Sequence, residues 1–400
     1  MSANTLRALR YSDFRLLWFG LGASAIGTWM QIVAQSLLVL EITHGSSLAL
    51  GSVSLAQASS FLIFSFVGGS VADRIDKRRL LLTTQSTSAS LALILGALTR
   101  SGHIEFWMIV VIAFLNGTVL SFDHPARGAL LPSLVKEEDM MNAISWQSAV
   151  FNGAAAVGPA LGGVAVKVWG YPGNFFLNGA SYIGVLIALF VMGVPNQAIH
   201  RQPIIKAAWD SLGTVVRDSV LLWVIAGYGA LLCLGPSPAL ILPLFSTQIL
   251  HVGPQRLGLL FSSVGVGSVL GAVIGASFVA PRKSYVFFGG LFLWVFAFTG
   301  FALSRWFWLS AAMLVLVGLG QMLVAITTIT LLQSRVPKQM RGRVMSLNTV
   351  LVLGFRPLGD FPAGALIGVI GAPATTLLSA ALVGMYSVAI ALRRPSLRAV

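Results

Sequence analysis

Two pairs of oppositely charged residues stand four positions apart inside otherwise apolar stretches: Asp123 with Arg127, and Arg356 with Asp360. On a helix that spacing puts both members on one face. A carboxylate and a guanidinium held this way can form an ion pair, or hand a proton on when the pair breaks. Arg356 and Asp360 are expected at membrane depth, where such groups are functional candidates by default, and Asp123 and Arg127 at the cytoplasmic boundary. Pro357, Gly359 and Pro362 interrupt the segment that carries Arg356 and Asp360. Burial favours the neutral acid at Asp360 and Arg356 favours its anion, so proton coupling and plain structural pairing both stay open. Asp123 and Arg127 share a face only if their helix continues through Pro125. They can then pair with each other or with the nearby hairpin that holds Asp73 and Arg74.

Other chemistries find little support. His44, His103, His124, His200 and His251 are scattered, with no two at metal-ligand spacing. The single Cys233 excludes an intrachain disulfide and offers no metal cluster. There is no Gly-x4-Gly-Lys-Ser/Thr phosphate loop, so ion gradients or passive flux remain as energy sources. The expectation is a chain with no catalytic residue, no metal and no cofactor, and not an enzyme.

The elements that must position these residues are membrane helices. Of the 400 residues 56% are hydrophobic and 10% charged, and the mean hydropathy is +0.86. Apolar runs of about 20 residues cross a bilayer as helices, because lipid offers no partner to an unpaired backbone group. Twelve runs are expected: residues 14–40, 48–71, 80–98, 106–123, 144–166, 173–192, 220–250, 257–279, 285–303, 307–332, 344–367 and 373–392. Pro236, Pro238 and Pro243 predict a kink or break in the seventh. The N-terminal arm is short and basic, without a cleavable leader pattern. The polar stretch 194–219 is the candidate linker, giving a bundle at 1–193 and a second at 220–400. This is an all-α integral membrane protein of twelve transmembrane helices in two six-helix pseudo-symmetric bundles.

Loop charges set the expected orientation. Placing the connections alternately on two sides puts Arg100, Lys167, Arg256 and Arg305 on one side. Arg356 lies within a helix, and the rest of the 26 Lys and Arg share the side of the termini. The positive-inside bias makes that side cytoplasmic. The net charge of +14 then faces anionic lipid. No soluble face exists for nucleic acid, and the expected partners are a small-molecule substrate and membrane lipids, with the chain acting as a monomer.

Between the second and third spans lies Gly68-Gly69-Ser70-Val71-Ala72-Asp73-Arg74-Ile75-Asp76-Lys77-Arg78-Arg79. Gly69, Ala72, Asp73, Arg74, Lys77 and Arg78 fall in register with the signature loop of the major facilitator superfamily, which this stretch resembles; Asp76 replaces the usual second glycine. The fifth span carries Gly158-Pro159-Ala160-Leu161-Gly162-Gly163, similar to the G-P-x-x-G-G motif of superfamily antiporters. With Gly27–Gln31, Gln35 and the end of the fourth span, the chain looks like the branch of enterobactin and macrolide exporters.

The resemblance implies alternating access, with helices 1, 4, 7 and 10 lining a cavity flanked by 2, 5, 8 and 11. Cavity candidates are then Gln31, Gln35, Gln57, Asn116, Asn152, Trp223, Tyr228 and Gln321. Such uncharged groups suit a bulky amphipathic substrate better than a small charged one. Gly158 and Gly162, with Pro159 and Gly163, are expected to face Gly267, Gly271 and Gly275 across the two bundles. Asp123, Arg127 and the Asp73–Arg74 hairpin are expected to latch the cytoplasmic side. The function expected is proton-coupled export of a drug, siderophore or similar molecule across the bacterial inner membrane. A lysophospholipid flippase of the same fold, or a sensor or scaffold that transports nothing, is the alternative.

Overall fold

The structure, a computed structural model, describes residues 7–193, 218–277, 283–336, 348 and 351–393. Most of the 194–219 linker, the 278–282 part of the eighth span and its loop, and most of the start of the eleventh span lie outside the described residues. So does the side chain of Asp73.

The chain is built of helices. α1 (Ser12–Ile42), α2 (Ser47–Arg74), α3 (Lys77–Arg100) and α4 (Phe106–Leu130) come first. α5 (Met140–Val191) is 52 residues long and turns at Gly170, where φ 67° and ψ −175° leave helical space. That positive φ suits a residue without a Cβ. α5 therefore has two arms, 140–169 and 171–191. Next come α6 (Ser219–Leu234), α7 (Pro238–Leu244), α8 (Pro254–Ser277), α9 (Lys283–Leu303), α10 (Phe307–Arg335), α11 (Arg356–Ile370) and α12 (Ala372–Arg393).

Ten helical stretches among the described residues are long and apolar enough to cross a membrane. One of them, Glu137–Val191, contains both arms of α5. A further crossing is α11 with the π-turn Leu351–Phe355 that leads into it. Twelve crossings result. Large apolar side chains stay on the outside, as lipid-facing ones do: Trp308 is 79% exposed and Val369 82%.

Local chemistry explains where helices begin and end. Ser46 caps α2 by accepting from Ala49 N at 3.2 Å, and Asp76 caps α3 by accepting from Arg79 N at 2.8 Å. The acidic residue that stands in place of the second motif glycine therefore starts a helix. The prolines of the seventh span do break it. α6 stops at Leu234, and Ser237 caps α7 with Pro238 at its first turn. Past the internal Pro243 the chain winds into a π-turn, Phe245–Ile249. α4, by contrast, runs through Pro125.

Lipid tails compete equally for apolar surface, so helix pairs in a membrane are set by close backbone packing. Two such seams join the first six spans to the last six. In one, Pro159 O and Gly163 of α5 meet Gly258 and the Pro254–Gln255 backbone of α8, and Gly265 abuts Ala155 O. Ala160 N donates to Ser262 Oγ at 3.1 Å in the same place. In the other, a methyl group on Gly51 of α2 would come within 2.8 Å of Asp360 O on α11. Ser47 Oγ donates there to Gly364 O at 2.7 Å.

The expected facing of the two glycine stripes is not what forms. Gly158 and Gly162 lie against Ile26, Trp29 and Met30 of α1, while Gly267, Gly271 and Gly275 lie against residues 315–326 of α10. Successive helical residues point about 100° apart, so moving one position along turns a stripe to another neighbour. The cross-bundle stripe is Ala155, Pro159 and Gly163, with Gly258, Ser262 and Gly265 opposite. Both seams lie in the parts of α2, α5 and α8 nearest the loops remote from the chain termini. Those remote ends are the ones fastened together.

Candidate functional site

α1, α2, α3, α4 and both arms of α5 surround a cavity of about 420 Å³, and Ala239 of α7 adds a contact from the other six spans. Of the expected lining residues, Gln31, Gln35, Gln57 and Asn116 are on its wall. Asn152, Trp223, Tyr228 and Gln321 are not. Asn152 donates to Ser148 O of its own helix at 2.9 Å, Tyr228 is buried among core side chains, and Gln321 accepts from Arg356. Trp223 packs on the same core as Tyr228. The helices expected to line a cavity from all sides contribute unequally, because α6 and α10 spend these groups on their own packing.

A polar chain crosses the wall. Asn178 Nδ2 donates to Gln31 Oε1 at 2.6 Å, and Gln31 Nε2 donates to Gln35 Oε1 at 3.3 Å. Satisfied amides of this kind tie α1 to the second arm of α5. Beside them Tyr182 Oη lies 3.4 Å from Thr28 Oγ1.

The charged centre of the site is Asp123, only 1% exposed. Arg127 donates Nη2–H to its Oδ2, one helical turn on. Its Oδ1 accepts from Gln85 Nε2 at 2.6 Å and from Thr84 Oγ1 at 3.0 Å. A buried carboxylate needs such partners, since an ion in low dielectric costs several kcal/mol unless paired and hydrogen-bonded. The Arg127 guanidinium also lies 5.5 Å from the centre of the Phe151 ring. Asp123, His124 and Arg127 all line the cavity. Asp123 and Arg127 were expected at a surface latch, and the structure places them inside instead. The helix that runs on through Pro125 turns them inward.

The hairpin also keeps to its own bundle. Arg78 donates from Nε to Leu189 O, and from Nη2 to Phe190 O, at the last turn of α5. A cation there satisfies carbonyls that the helix leaves free and suits the negative end of its dipole. Lys77 is buried and Arg74 exposed. Gly68 sits on Ser121 O and Phe122 N of α4, which fixes the hairpin beside the Asp123 turn. The hydrogen bonds and ion pairs that these described side chains make stay within the first six spans.

Arg356 and Asp360 do not form the ion pair their spacing suggests. The ion pairs among the described residues are Arg127–Asp123 and Arg335–Asp218. Asp360, 2% exposed, instead accepts from Ser237 N at 2.8 Å. It thereby holds the backbone N–H of Ser237, the residue that caps α7, from another helix. Arg356 Nη2 donates to Gln321 Oε1 at 3.2 Å. The break in the seventh span exposes a donor that draws Asp360 away.

Sequence reasoning missed Thr84, Gln85, Asn178 and Tyr182. A signal existed: residues 83–88 read Thr-Thr-Gln-Ser-Thr-Ser inside a membrane helix. Polar groups at that depth require partners.

Comparisons with known proteins agree with this architecture. Residues 3–400 match a family described as transmembrane secretion effector. The chain is 26% identical over 352 residues to the staphyloferrin A transporter of Staphylococcus aureus, covering 84% of each protein. It is 25% identical over 386 residues to the enterobactin exporter EntS of Citrobacter koseri, covering 95% of this chain and 90% of that one. Among solved structures, an inward-facing, unoccupied bacterial homologue of the human lysosomal transporter Spinster superposes with a TM-score of 0.73. Its identity is 12%, with 94% of this chain and 96% of that one covered.

Proposed function

Because this chain belongs to the transmembrane secretion effector family of the major facilitator superfamily, a family of secondary transporters, we propose that it exports a small amphipathic molecule by proton antiport. Residues 1–193 and 220–400 are the two rocking units, joined by 194–219, with both termini in the cytoplasm of a bacterial inner membrane. The substrate enters the cavity walled by α1 to α5. The observation that supports this most is that cavity, which holds a buried ion pair and a row of carboxamides beside two close cross-bundle seams. The relatives' names, siderophore transporter and exporter, point the same way.

In this reading the seams are the moving parts. α2 against α11 and α5 against α8 hold the remote ends together, and export requires them to part. Asp360 is the candidate coupling group, because its carboxylate fastens α7 at Ser237 while its backbone lies against Gly51. A proton taken up by Asp360 weakens that fastening and releases the remote end.

The test is flux in proteoliposomes with an imposed pH gradient, screened against siderophores, macrolides, dyes and lysolipids. Export predicts gradient-driven movement of one of the first three classes, reversing when the gradient is inverted. Movement of lysolipid alone identifies a flippase instead. Absence of flux for every class, in vesicles where the protein is folded and oriented, overturns transport.

A further inference from the structure

The cavity wall carries no net charge. Asp123 and Arg127 are its ionised residues and they are bound to each other, with His124 and Tyr182 as the neighbouring titratable groups. The remaining polar wall is carboxamide and hydroxyl, led by Gln31, Gln35, Gln57 and Asn116. Two wall residues keep a polar atom without a partner: Gln85 Oε1, an acceptor, and Arg127 Nε, a donor. Gln85 is 3% exposed. Both side chains are anchored by their other nitrogens to the two oxygens of Asp123. The free acceptor and the free donor therefore flank a single carboxylate.

An unpartnered buried polar atom costs about 1–3 kcal/mol, and folded proteins leave few of them. Here one donor and one acceptor beside a cavity share that cost. A ligand that brings the complementary acceptor and donor relieves both.

We propose that Gln85 and Arg127 are the recognition point for an uncharged headgroup presenting a carbonyl oxygen beside an N–H or O–H. The carbonyl accepts from Arg127 Nε–H and the adjoining donor goes to Gln85 Oε1. Primary amides, lactams and un-ionised hydroxamic acids carry that pattern. A carboxylate meets the charge of Asp123 and brings no donor for Gln85, and an ammonium group meets the charge of Arg127. An apolar or aromatic body then lies along Phe151 and Trp29, which share the wall. Both free atoms are covered in this conformation, so the side chains turn to admit the headgroup. The assignment rests on this cavity being the transport site.

Three ligands of one shape test it: 2-naphthamide, methyl 2-naphthoate and 2-naphthoate. Binding is measured by equilibrium dialysis of the full chain in nanodiscs, with empty nanodiscs as the blank. The amide should bind about tenfold more tightly than the ester, the worth of one net hydrogen bond, with the carboxylate weakest. Gln85→Leu should bring amide and ester to within about twofold of each other. Arg127→Lys, which keeps the cation but lacks Nε, should weaken both, and Arg335→Gln at the far surface should change neither. Equal binding of amide and ester by the unaltered protein, or tightest binding of the carboxylate, overturns the proposal. So does an amide preference that survives Gln85→Leu. The three-ligand series on the unaltered protein decides the matter even if a variant fails to fold. Loss of headgroup preference with gradient-driven flux intact removes this assignment and leaves export standing; binding without flux does the reverse.

Discussion

α4 and α11 each carry an acid and an arginine four residues apart at membrane depth, and the two pairs end in opposite states. On α4, Asp123 precedes Arg127, the helix continues through Pro125, and the ions meet. On α11, Arg356 precedes Asp360, and the two side chains go separate ways, to Gln321 and to Ser237 N. The order favours the first pair, since an acid one turn before a base suits the helix better than the reverse. The competing partners decide the second. A broken helix beside α11 presents a free N–H, and a carboxylate at a helix start gains a charge-assisted hydrogen bond. Four-residue spacing permits an ion pair; it does not compel one.

The largest effect should come from breaking the α4 pair. Asp123→Ala leaves Arg127 buried without its counter-ion and should destabilise the protein by about 3–5 kcal/mol. Unfolding in detergent micelles measures it, and a loss below about 1 kcal/mol would mean the pair is hydrated rather than buried.

A middle effect belongs to the helix start. Asp360→Ala removes the acceptor for Ser237 N and should cost about 1–3 kcal/mol. Asp360→Asn keeps an acceptor oxygen and should cost less, while abolishing the response of transport to a pH gradient. Gradient-driven flux that persists unchanged in Asp360→Asn removes this residue from coupling and leaves it a structural cap.

The smallest expected number sharpens the comparison most. A double-mutant cycle between Arg356→Gln and Asp360→Asn should give a coupling below about 0.5 kcal/mol, as for residues without a shared partner. The same cycle between Arg127→Gln and Asp123→Asn should give a coupling above about 1.5 kcal/mol, within the range for contacting pairs. Similar couplings in both cycles would show that Arg356 and Asp360 pair after all.

Much of the architecture was legible beforehand. Apolar runs of bilayer length are read directly, and the prolines at 236, 238 and 243 announced the break that produced α7. The turn between the runs 144–166 and 173–192 was read too, and it is made by a single non-helical residue, Gly170. The glycine stripes were legible as packing surfaces but not as pairings. Gln31, Gln35, Gln57 and Asn116 lie on the wall of one cavity, whereas Asn152, Trp223, Tyr228 and Gln321 lie away from it.

The sequence by itself determined what lipid enforces on any chain: the number of crossings, the positions of breaks, and the membrane depth of Asp360. Hydrocarbon imposes those limits on each segment separately, so each can be read without its neighbours. Which face of each helix meets which partner was decided only in three dimensions. A shift of one residue turns a helix by about 100°, and that rotation sends Gly162 to α1 but Gly163 to α8. The same holds for Asp360, whose partner is a backbone donor 123 residues away in the chain.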